Sequence, residues 1–366
     1  MEFSLNTKDA YASLRIKDYR WFIFARFLLT FAIQMQSVIV GWQIYSLTHD
    51  PLSLGLIGIS EALPFLGIAL FAGHIADLVN RKKIIVLSGM IYFLCTITLL
   101  SISTWLHPAL AIFGVFPIYL IIFVTGLARG FMSPAQSAFA AQLIPKELFG
   151  NASTWNSVAW QIAEVTGPAL GGLIYGFLGV GSAYSLVIIF SAAGLLFFTF
   201  IKNHPVPIRT KVETIWESLS SGLKFVFSNQ IILSAVSLDM FAVFFGGAVS
   251  ILPIFADQIL HTGAKGLGFF RAAPAVGAII MSVVQAHWPP FKHAGRNLII
   301  AVFGFGASII LFALTKNFFA AIFILIISGI FDNISVVIRG TIIQIYTPDD
   351  MRGRVSAVNG IFIGSS

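Results

Sequence analysis

Eight ionisable side chains lie inside long apolar stretches of the sequence, and the chemistry open to them is the binding of protons or charged ligands. They are four acids and four arginines, namely Glu61, Glu164, Asp239, Asp332, Arg26, Arg129, Arg271 and Arg339. A buried arginine stays charged and can set the protonation of a neighbouring carboxylate. An ionised acid in a bilayer is costly, so each acid is a functional candidate, with structural pairing as the alternative.

Three glutamines in the first apolar stretch could form hydrogen bonds with a substrate in a cavity: Gln34, Gln36 and Gln43. The seven histidines lack metal-ligand spacing, and the P-loop pattern of nucleotide-binding proteins does not occur. No nucleophile lies near a base that a third residue orients. The sequence therefore predicts a protein that is not an enzyme and that needs no metal and no cofactor.

The composition places these residues in a membrane protein. Of the 366 residues, 57% are hydrophobic and 10% are charged, whereas charged residues make up about a quarter of soluble domains. The mean hydropathy is +0.91. The net charge of +7 raises the question of nucleic acid, but the cations lie in short loops, where membrane topology explains them. The sequence predicts an all-α polytopic protein whose partner is the lipid bilayer, with no nucleic acid.

Ten apolar runs are long enough to cross a bilayer, since a helix needs about 20 residues to span about 30 Å of hydrocarbon. An eleventh run begins at Val355 and reaches the last residue, Ser366. A helix that stops inside hydrocarbon leaves carbonyls unsatisfied, so we expect the sequence to be truncated and to lack the last helices. The ten runs are approximately Trp21–Ser46, Leu54–Ala76, Ile84–Ser103, Ala109–Pro134, Ser153–Leu178, Ala183–Ile201, Ile231–Phe255, Gly266–Ala286, Leu298–Leu314 and Phe318–Tyr346.

The distribution of cations in the loops predicts a cytoplasmic amino terminus. With that orientation the outside loops hold only Lys265 and Lys316, and the cytoplasmic segments hold sixteen cations. This asymmetry follows the positive-inside rule. The sixteen are Lys8, Arg15, Lys17, Arg20, Arg81, Lys82, Lys83, Lys146, Lys202, Arg209, Lys211, Lys224, Lys292, Arg296, Arg352 and Arg354.

A polar linker divides the chain into two bundles. Residues 1–20 form a cytoplasmic terminus, 21–201 a bundle of six helices, 202–230 the linker and 231–366 an incomplete second bundle. Apolar residues recur in the linker at three- and four-residue steps, which predicts an amphipathic helix at the cytoplasmic surface. These residues are Ile215, Trp216, Leu219, Leu223 and Val226.

The two bundles are related as an internal repeat. Pro145, Gly150, Ser153 and Asn156 recur 203 residues later as Pro348, Gly353, Ser356 and Asn359. A repeat of six helices predicts two bundles that face each other across a central cavity, with the polar site near the repeat interface.

The repeat register places opposite charges at equivalent positions. At the offset of 203, Arg129 corresponds to Asp332. When Pro64 is aligned with Pro274, an offset of 210, Glu61 corresponds to Arg271. These charges are expected to approach each other across the cavity; neutralisation by a local partner, or snorkelling to the nearer surface, is the alternative. Glu61 and Asp332 are the leading candidates for proton binding.

Gly73, Asp77, Arg81 and Lys82 form a G-x-x-x-D-x-x-x-R-K pattern after the second span. The pattern resembles the loop 2–3 motif of the major facilitator superfamily. Within it, the chain is similar to the enterobactin-exporter-like efflux branch, through the segment Leu54–Pro64 and the two proline–glycine loops. The resemblance implies the major facilitator fold, with twelve helices in two six-helix halves and alternating access, in the inner membrane of a bacterium.

Asp77 of this motif can accept hydrogen bonds from the amino terminus of a neighbouring helix or pair with Arg81. Such a contact exists in only one packing of the two halves, so the motif would act as a conformational latch. A purely topological role for the positive charges is the alternative. The equivalent segment of the second half keeps Gly295 and Arg296 but lacks the acid, so a latch there is weak or absent.

Two further motifs resemble those of exporters in the superfamily. Gly167, Pro168, Gly171 and Gly172 on the fifth span resemble the antiporter motif, with Ala163 where the family has glycine. Small residues at these steps allow close helix approach and bending, although glycine and proline are also common in membrane helices. Arg129 followed by Gly130 resembles a motif whose arginine is linked to proton transfer.

Taken together, the resemblance implies a monomeric secondary transporter that exports a small organic molecule, drug-like or siderophore-like, in exchange for protons. Uptake or facilitated diffusion on the same fold is one alternative, in which the charges bind a substrate. A non-transporting membrane protein, either a sensor or a truncated product, is the other.

Overall fold

The computed structural model describes residues 11–105, 110, 112–202, 215–246, 251–287, 293–348, 355 and 358. Ten helices of 14 residues or more, and no strand, lie in this part of the chain. The chain divides into two compact units, Met1–Ile208 and Arg209–Ser366. The helices are α1 Lys17–Thr48, α2 Pro51–Leu78, α3 Arg81–Thr104, α4 Phe116–Leu143, α5 Phe149–Thr199, α6 Ile215–Ser228, α7 Gln230–Gly246, α8 Gly263–His287, α9 Ala294–Leu314 and α10 Phe318–Tyr346.

In the N-terminal unit, α1 packs along α5, α2 packs on α4, and α3 packs on both α4 and α5. Two buried clusters hold these helices together. One surrounds Phe22, Phe139 and Phe198, and the other surrounds Met35 and Tyr184. Large apolar side chains also cover the outer surface, as expected for helices that face lipid rather than water.

Helix α5 contains the fifth and sixth predicted spans as two arms that meet at Gly179. This residue has φ 82° and ψ 175°, a conformation that favours glycine. Along the first arm, the residue numbers of α5 and of the α1 residues that it contacts rise together: Gly167 lies beside Phe31 and Gly171 beside Met35. Along the second arm, the residue numbers of α5 rise while those of its α1 contacts fall: Tyr184 contacts Gln43, and Gly194 lies beside Ala25. The chain therefore reverses at Gly179, and the two arms run antiparallel.

Caps and backbone geometry set the other helix ends. Helix α2 begins at Pro51, earlier than predicted, because Asp50 accepts a hydrogen bond from the Leu52 amide at 3.1 Å. The start predicted for the fourth span, Ala109, lies outside the described residues, and residues 110, 112 and 113 are helical. Gly114 has φ +58°, and α4 begins beyond it at Phe116; the helix then continues through Pro134, the predicted end, to Leu143. The last predicted span, Phe318–Tyr346, agrees with α10.

In the C-terminal unit, α10 packs against α8 and α9, and α7 contacts α6, α9 and α10. The predicted amphipathic linker helix is present as α6. Val226 of α6 is buried with Ile232 and Val236 of α7 and with Val355 and Val358. Its apolar face is therefore covered at this end by the protein itself. A bend of 95° separates residues 220–228 of α6 from residues 230–242 of α7.

Eight helices in the described part of the chain are long and apolar enough to cross a membrane, or nine when the bent pair of α6 and α7 is included. The ten predicted spans exceed the eight helices by two, because α5 contains two of the spans and α7 is counted only within the bent pair. Within the seventh predicted span, Ile231–Phe255, the described residues are helical on both sides of residues 247–250, including a short helix at Leu252–Ile254. Helix α7 ends at Gly246, residues 247–250 lie outside the description, and a π-helix occupies Phe255–Ile259.

One close helix contact occurs at equivalent positions of both units. A Cβ atom added to Gly126 of α4 would lie 2.8 Å from Pro64 Cγ of α2. A Cβ atom added to Gly329 of α10 would lie 2.0 Å from the Pro274 carbonyl of α8. Gly329 follows Gly126 by 203 residues, and Pro274 follows Pro64 by 210, which are the two offsets of the repeat register. Only glycine allows the two backbones to approach so closely.

Candidate functional site

Glu61 of α2 and Arg129 of α4 form an ion pair within the N-terminal unit. Gly126 makes this pair possible, because a Cβ atom there would lie 2.6 Å from the Glu61 carbonyl oxygen. Helical side chains lean toward the helix amino terminus, so Arg129 extends back toward the level of Gly126 and reaches Glu61. The guanidinium also lies over the Phe65 ring, 5.9 Å from its centre. Glu61 therefore pairs with an arginine of its own unit. This is the local neutralisation that was the alternative to pairing across the two halves.

The ion pair lines a small cavity among α1, α2, α3 and α4. Its volume is about 20 Å³, enough for about one water molecule and far below the several hundred cubic ångströms of a drug-sized site. The Glu61 and Arg129 side chains are 29% and 31% exposed, so both remain accessible. The cavity is lined by Ile33, Gln36, Ser37, Val40, Ile57, Glu61, Tyr92, Ile122, Thr125 and Arg129.

The three predicted glutamines have different surroundings. Gln36 lines the cavity and accepts a hydrogen bond from the Thr96 hydroxyl at 2.8 Å. Gln43 is buried between helices, where its Nε2 donates to Ser103 Oγ and its Oε1 accepts from the Tyr184 hydroxyl, both at 2.7 Å. Gln34 is half-buried, and a Cβ atom added to Gly167 would lie 2.9 Å from the Gln34 Cβ. Of the three, only Gln36 lines this cavity.

The polar partners on α3 and α5 were not predicted. Gln36 of α1 forms a hydrogen bond with Thr96 of α3, and Gln43 of α1 forms one with Ser103 of α3. The two residues of each pair are 60 positions apart in the sequence. Seven residues separate the two glutamines, and seven separate their partners. A matching seven-residue spacing of polar residues in two apolar runs was the pattern that could have indicated parallel, hydrogen-bonded helices.

The cations of the loop 2–3 motif bind carbonyls at the ends of other helices. Only Val79 and Asn80 separate α2 from α3, and Asn80 caps α3 by accepting from the Lys83 amide. Arg81 is buried and donates from Nη1 to the Ala138 carbonyl of α4 at 3.1 Å. Lys82 donates from Nζ to the Ile201 carbonyl, just beyond α5, at 2.5 Å. The side chain of Asp77 and the surroundings of Gly73 lie outside the described residues.

The predicted exporter motif lies where α5 meets α1. A Cβ atom added to Gly171 would lie 2.9 Å from the Met35 carbonyl oxygen, and one added to Gly167 would lie 3.1 Å from that of Phe31. Gly172 is buried, and Pro168 lies inside the helix. The small residues therefore let the first arm of α5 approach α1 closely.

The remaining candidate charges are distributed over both units. Arg26 on α1 and Glu164 on α5 are half-buried. In the C-terminal unit, Arg271 on α8 is half-buried, and on α10 Arg339 is buried whereas Asp332 is exposed. Asp239 is part of α7, and its side chain lies outside the described residues.

Comparison with known proteins identifies the family. A family model described as "Transmembrane secretion effector" matches residues 8–365. The enterobactin exporter EntS of Salmonella choleraesuis strain SC-B67 is 25% identical over 345 residues, which cover 93% of this chain and 80% of that protein. The enterobactin exporter EntS of Salmonella typhi is 25% identical over 350 residues, with the same 93% and 80% coverage.

Solved transporter structures share the fold. A bacterial homologue of the human lysosomal transporter Spinster, inward-facing and unoccupied, has a TM-score of 0.63 and 17% identity over 94% of this chain and 80% of its own. A POT family transporter in complex with 5-aminolevulinic acid has a TM-score of 0.70 and 14% identity over 95% of this chain and 88% of its own. At these identities the likeness shows the fold alone. The all-α polytopic prediction is confirmed, and the chain belongs to the transmembrane secretion effector family of major facilitator superfamily transporters.

Proposed function

We propose that this transporter exports a small organic molecule, siderophore-like or drug-like, in exchange for protons, by alternating access. The observation that carries the proposal is the Glu61–Arg129 ion pair at the wall of a polar cavity inside a membrane-spanning bundle. Export as the direction, and a siderophore-like cargo, are supported by the names of the curated relatives, which are enterobactin exporters.

The ion pair couples protonation to conformation in this mechanism. Arg129 stabilises the ionised Glu61 carboxylate. When a proton from the outer side binds the carboxylate, Glu61 becomes neutral and its attraction to the guanidinium is lost. The helices α2 and α4, which contact each other at Gly126, can then adopt a different packing. Release of the proton on the cytoplasmic side restores the ion pair and resets the cycle.

Substrate and proton need not share one cavity. The cavity beside Glu61 has room for about one water molecule, which suits proton exchange but not a bulky cargo. Gln36 and Ser37 at its wall can orient that water by hydrogen bonds. We therefore assign this cavity to the proton and place no substrate contact there.

Everted membrane vesicles test the proposal directly. With an acidic interior, the native protein is expected to accumulate enterobactin or the cationic dye ethidium in exchange for protons. The Glu61→Gln variant keeps the shape of the side chain but cannot ionise, so accumulation should fall to the level of vesicles without the protein. Glu147→Gln, which changes an exposed acid in the short helix after α4, is the matched control and should behave as the native protein.

Two results would contradict the proposal. One is gradient-driven accumulation by Glu61→Gln equal to that of the native protein. The other is substrate movement by the native protein that is indifferent to the pH gradient, which would indicate facilitated diffusion.

A further inference from the structure

The C-terminal unit contains a charge-reversed copy of the Glu61–Arg129 arrangement. In the N-terminal unit the acid lies three residues before Pro64 and the arginine three residues after Gly126. In the C-terminal unit the arginine, Arg271, lies three residues before Pro274, and the acid, Asp332, lies three residues after Gly329. The same two helix positions therefore hold one acid and one arginine in each unit, with the signs exchanged.

Both units also have a close glycine contact between the two helices, although its atoms differ: Gly126 is nearest the Glu61 carbonyl and the Pro64 ring, whereas Gly329 is nearest the Pro274 backbone. In the C-terminal unit the contact extends to Gly277, which meets the Ile326 carbonyl, whereas the equivalent Gly67 of the N-terminal unit has no atom within 4 Å of an added Cβ. Residues three apart in a helix lie one turn apart on one face. Arg271 and Asp332 must therefore lie about one turn to either side of the Gly329–Pro274 contact. This places the two residues on the surfaces of α8 and α10 that meet at this contact.

The exchange of signs explains why this site is open in the structure. In the N-terminal unit the long side chain is on α4 and leans back toward Glu61. In the C-terminal unit that position has the short Asp332. Arg271 precedes the contact on α8, so its side chain leans toward the amino terminus of α8, away from the contact. Asp332 is exposed, and no ion pair or hydrogen bond joins its side chain to the described part of the chain.

An open site leaves a carboxylate inside a membrane-spanning helix, and that charge needs neutralisation. A proton can supply it, and so can Arg271 in another rotamer. Around Asp332, α10 itself has Arg339 seven residues further on, and α7 has Asp239, whose side chain is not described. The ionisable groups at the ends of the packed helices are Lys265 and His287 on α8 and Arg296 on α9. Arg271 is thus the arginine that the repeat places beside Asp332.

We propose that Arg271 and Asp332 form a second acid–arginine site, which closes as a salt bridge in another state of the transport cycle. The inference rests on the proposed proton-coupled function. When the site is open, Asp332 takes up a proton; when it closes, Arg271 replaces that proton as the neutralising group. Each unit then has one carboxylate that can bind a proton and one arginine that can neutralise the carboxylate in its place.

Cross-linking in membranes tests the proximity without an activity assay. In a full-length Cys95→Ala background, Arg271→Cys with Asp332→Cys should be joined by a short bismaleimide. Glu61→Cys with Arg129→Cys is the positive control. Arg271→Cys with Ile334→Cys is the negative control, because Ile334 packs near Ala235, Leu298 and Ile338, on the side of α10 toward α7 and α9. Cross-linking no stronger than in the negative control overturns the proposal.

A charge exchange tests the function of the pair. Arg271→Asp or Asp332→Arg alone places two like charges together, so transport should fall by about 30-fold, as when one partner of a buried pair is lost. The double variant should recover most of that loss. Absence of recovery at native expression also overturns the second site. If Glu61→Gln abolishes coupling in the same vesicles, the proposed function stands although the second site fails; if it does not, the proposed function itself fails.

Discussion

Lys82 and Arg81 show that single cations hold particular helices together. They are the first two residues of α3. Arg81 donates to the Ala138 carbonyl and Lys82 to the Ile201 carbonyl, both near the carboxyl ends of other helices. The unsatisfied carbonyls at a helix end make this region attractive to cations. The positive charges of the loop 2–3 motif therefore have a packing role in addition to their contribution to topology.

Replacement of Lys82 by methionine is expected to weaken the N-terminal unit. The change keeps the length of the side chain but removes the donor to the Ile201 carbonyl, which should lower stability by about 1 kcal/mol. Thermal unfolding in detergent, followed by size-exclusion chromatography, measures the effect. Lys83→Met is the matched control, since the Lys83 side chain is exposed. Equal midpoints for the two variants would assign Lys82 to topology alone.

Some residue roles were predictable and others were not. An acid in an apolar run is conspicuous, so Glu61 and Arg129 could be singled out. Their mutual pairing could not, because the register indicated equivalence between the halves but not which neighbour each charge would choose. Gln43 was predicted as a cavity residue because it is polar. Its partners Ser103 and Tyr184 bury it between helices, which a single run of sequence does not show.

Among the helices, the two glycine–proline contacts position the charges. Large apolar residues occur around most of helix α2, so apart from Glu61 polarity gives little indication of which face meets protein and which meets lipid. The contact of Pro64 with Gly126 defines the protein-facing side. A related contact between Pro274 and Gly329 joins α8 and α10 in the C-terminal unit.

Gly126→Ala should separate α2 from α4 and disturb the Glu61–Arg129 pair. The new Cβ atom would lie 2.6 Å from a backbone oxygen, which cannot move without its helix. We expect a loss of about 1–3 kcal/mol, as for other overpacked cores, and a clear fall in gradient-driven transport. Both are measured on purified protein, by thermal unfolding and in proteoliposomes.

The control for this change is Gly67→Ala on α2, which has no atom within 4 Å of its added Cβ. Alanine favours helix by up to about 1 kcal/mol over glycine, so this variant should be as stable as the native protein or more so. A fall in stability as large as that of Gly126→Ala would indicate that the contact is not the cause.

Helix positions were largely predictable from apolar length, and their ends were less so. Residues 318–346 were predicted without error because Asn317 caps a long run that is mostly apolar and contains no proline. The fourth span was predicted as one run from Ala109, since that stretch is as apolar as the helix that follows. Gly114 has a left-handed conformation that separates the helical residues 112 and 113 from α4, and composition does not reveal such a break.

Over the whole molecule, loop charge predicts a cytoplasmic amino terminus, and thiol labelling can test it. In a Cys95→Ser background, an impermeant maleimide added to intact cells should label Lys316→Cys between α9 and α10. It should label Lys83→Cys, at the start of α3, only after the membrane is opened. Both lysines are exposed, so their accessibility to the reagent is comparable. The reverse pattern would invert the topology and the proposed direction of transport.

The hydrogen bond from Lys82 to the Ile201 carbonyl also has a consequence for biosynthesis. Its partners are 119 residues apart in the sequence and lie at the start of α3 and just beyond α5. The amino end of α3 therefore obtains its final partner only after the ribosome has made both arms of α5. The helices of the N-terminal unit can enter the membrane one after another, and α2 can pack on α4 early, but the bond from Lys82 can form only after residue 201 has been synthesised.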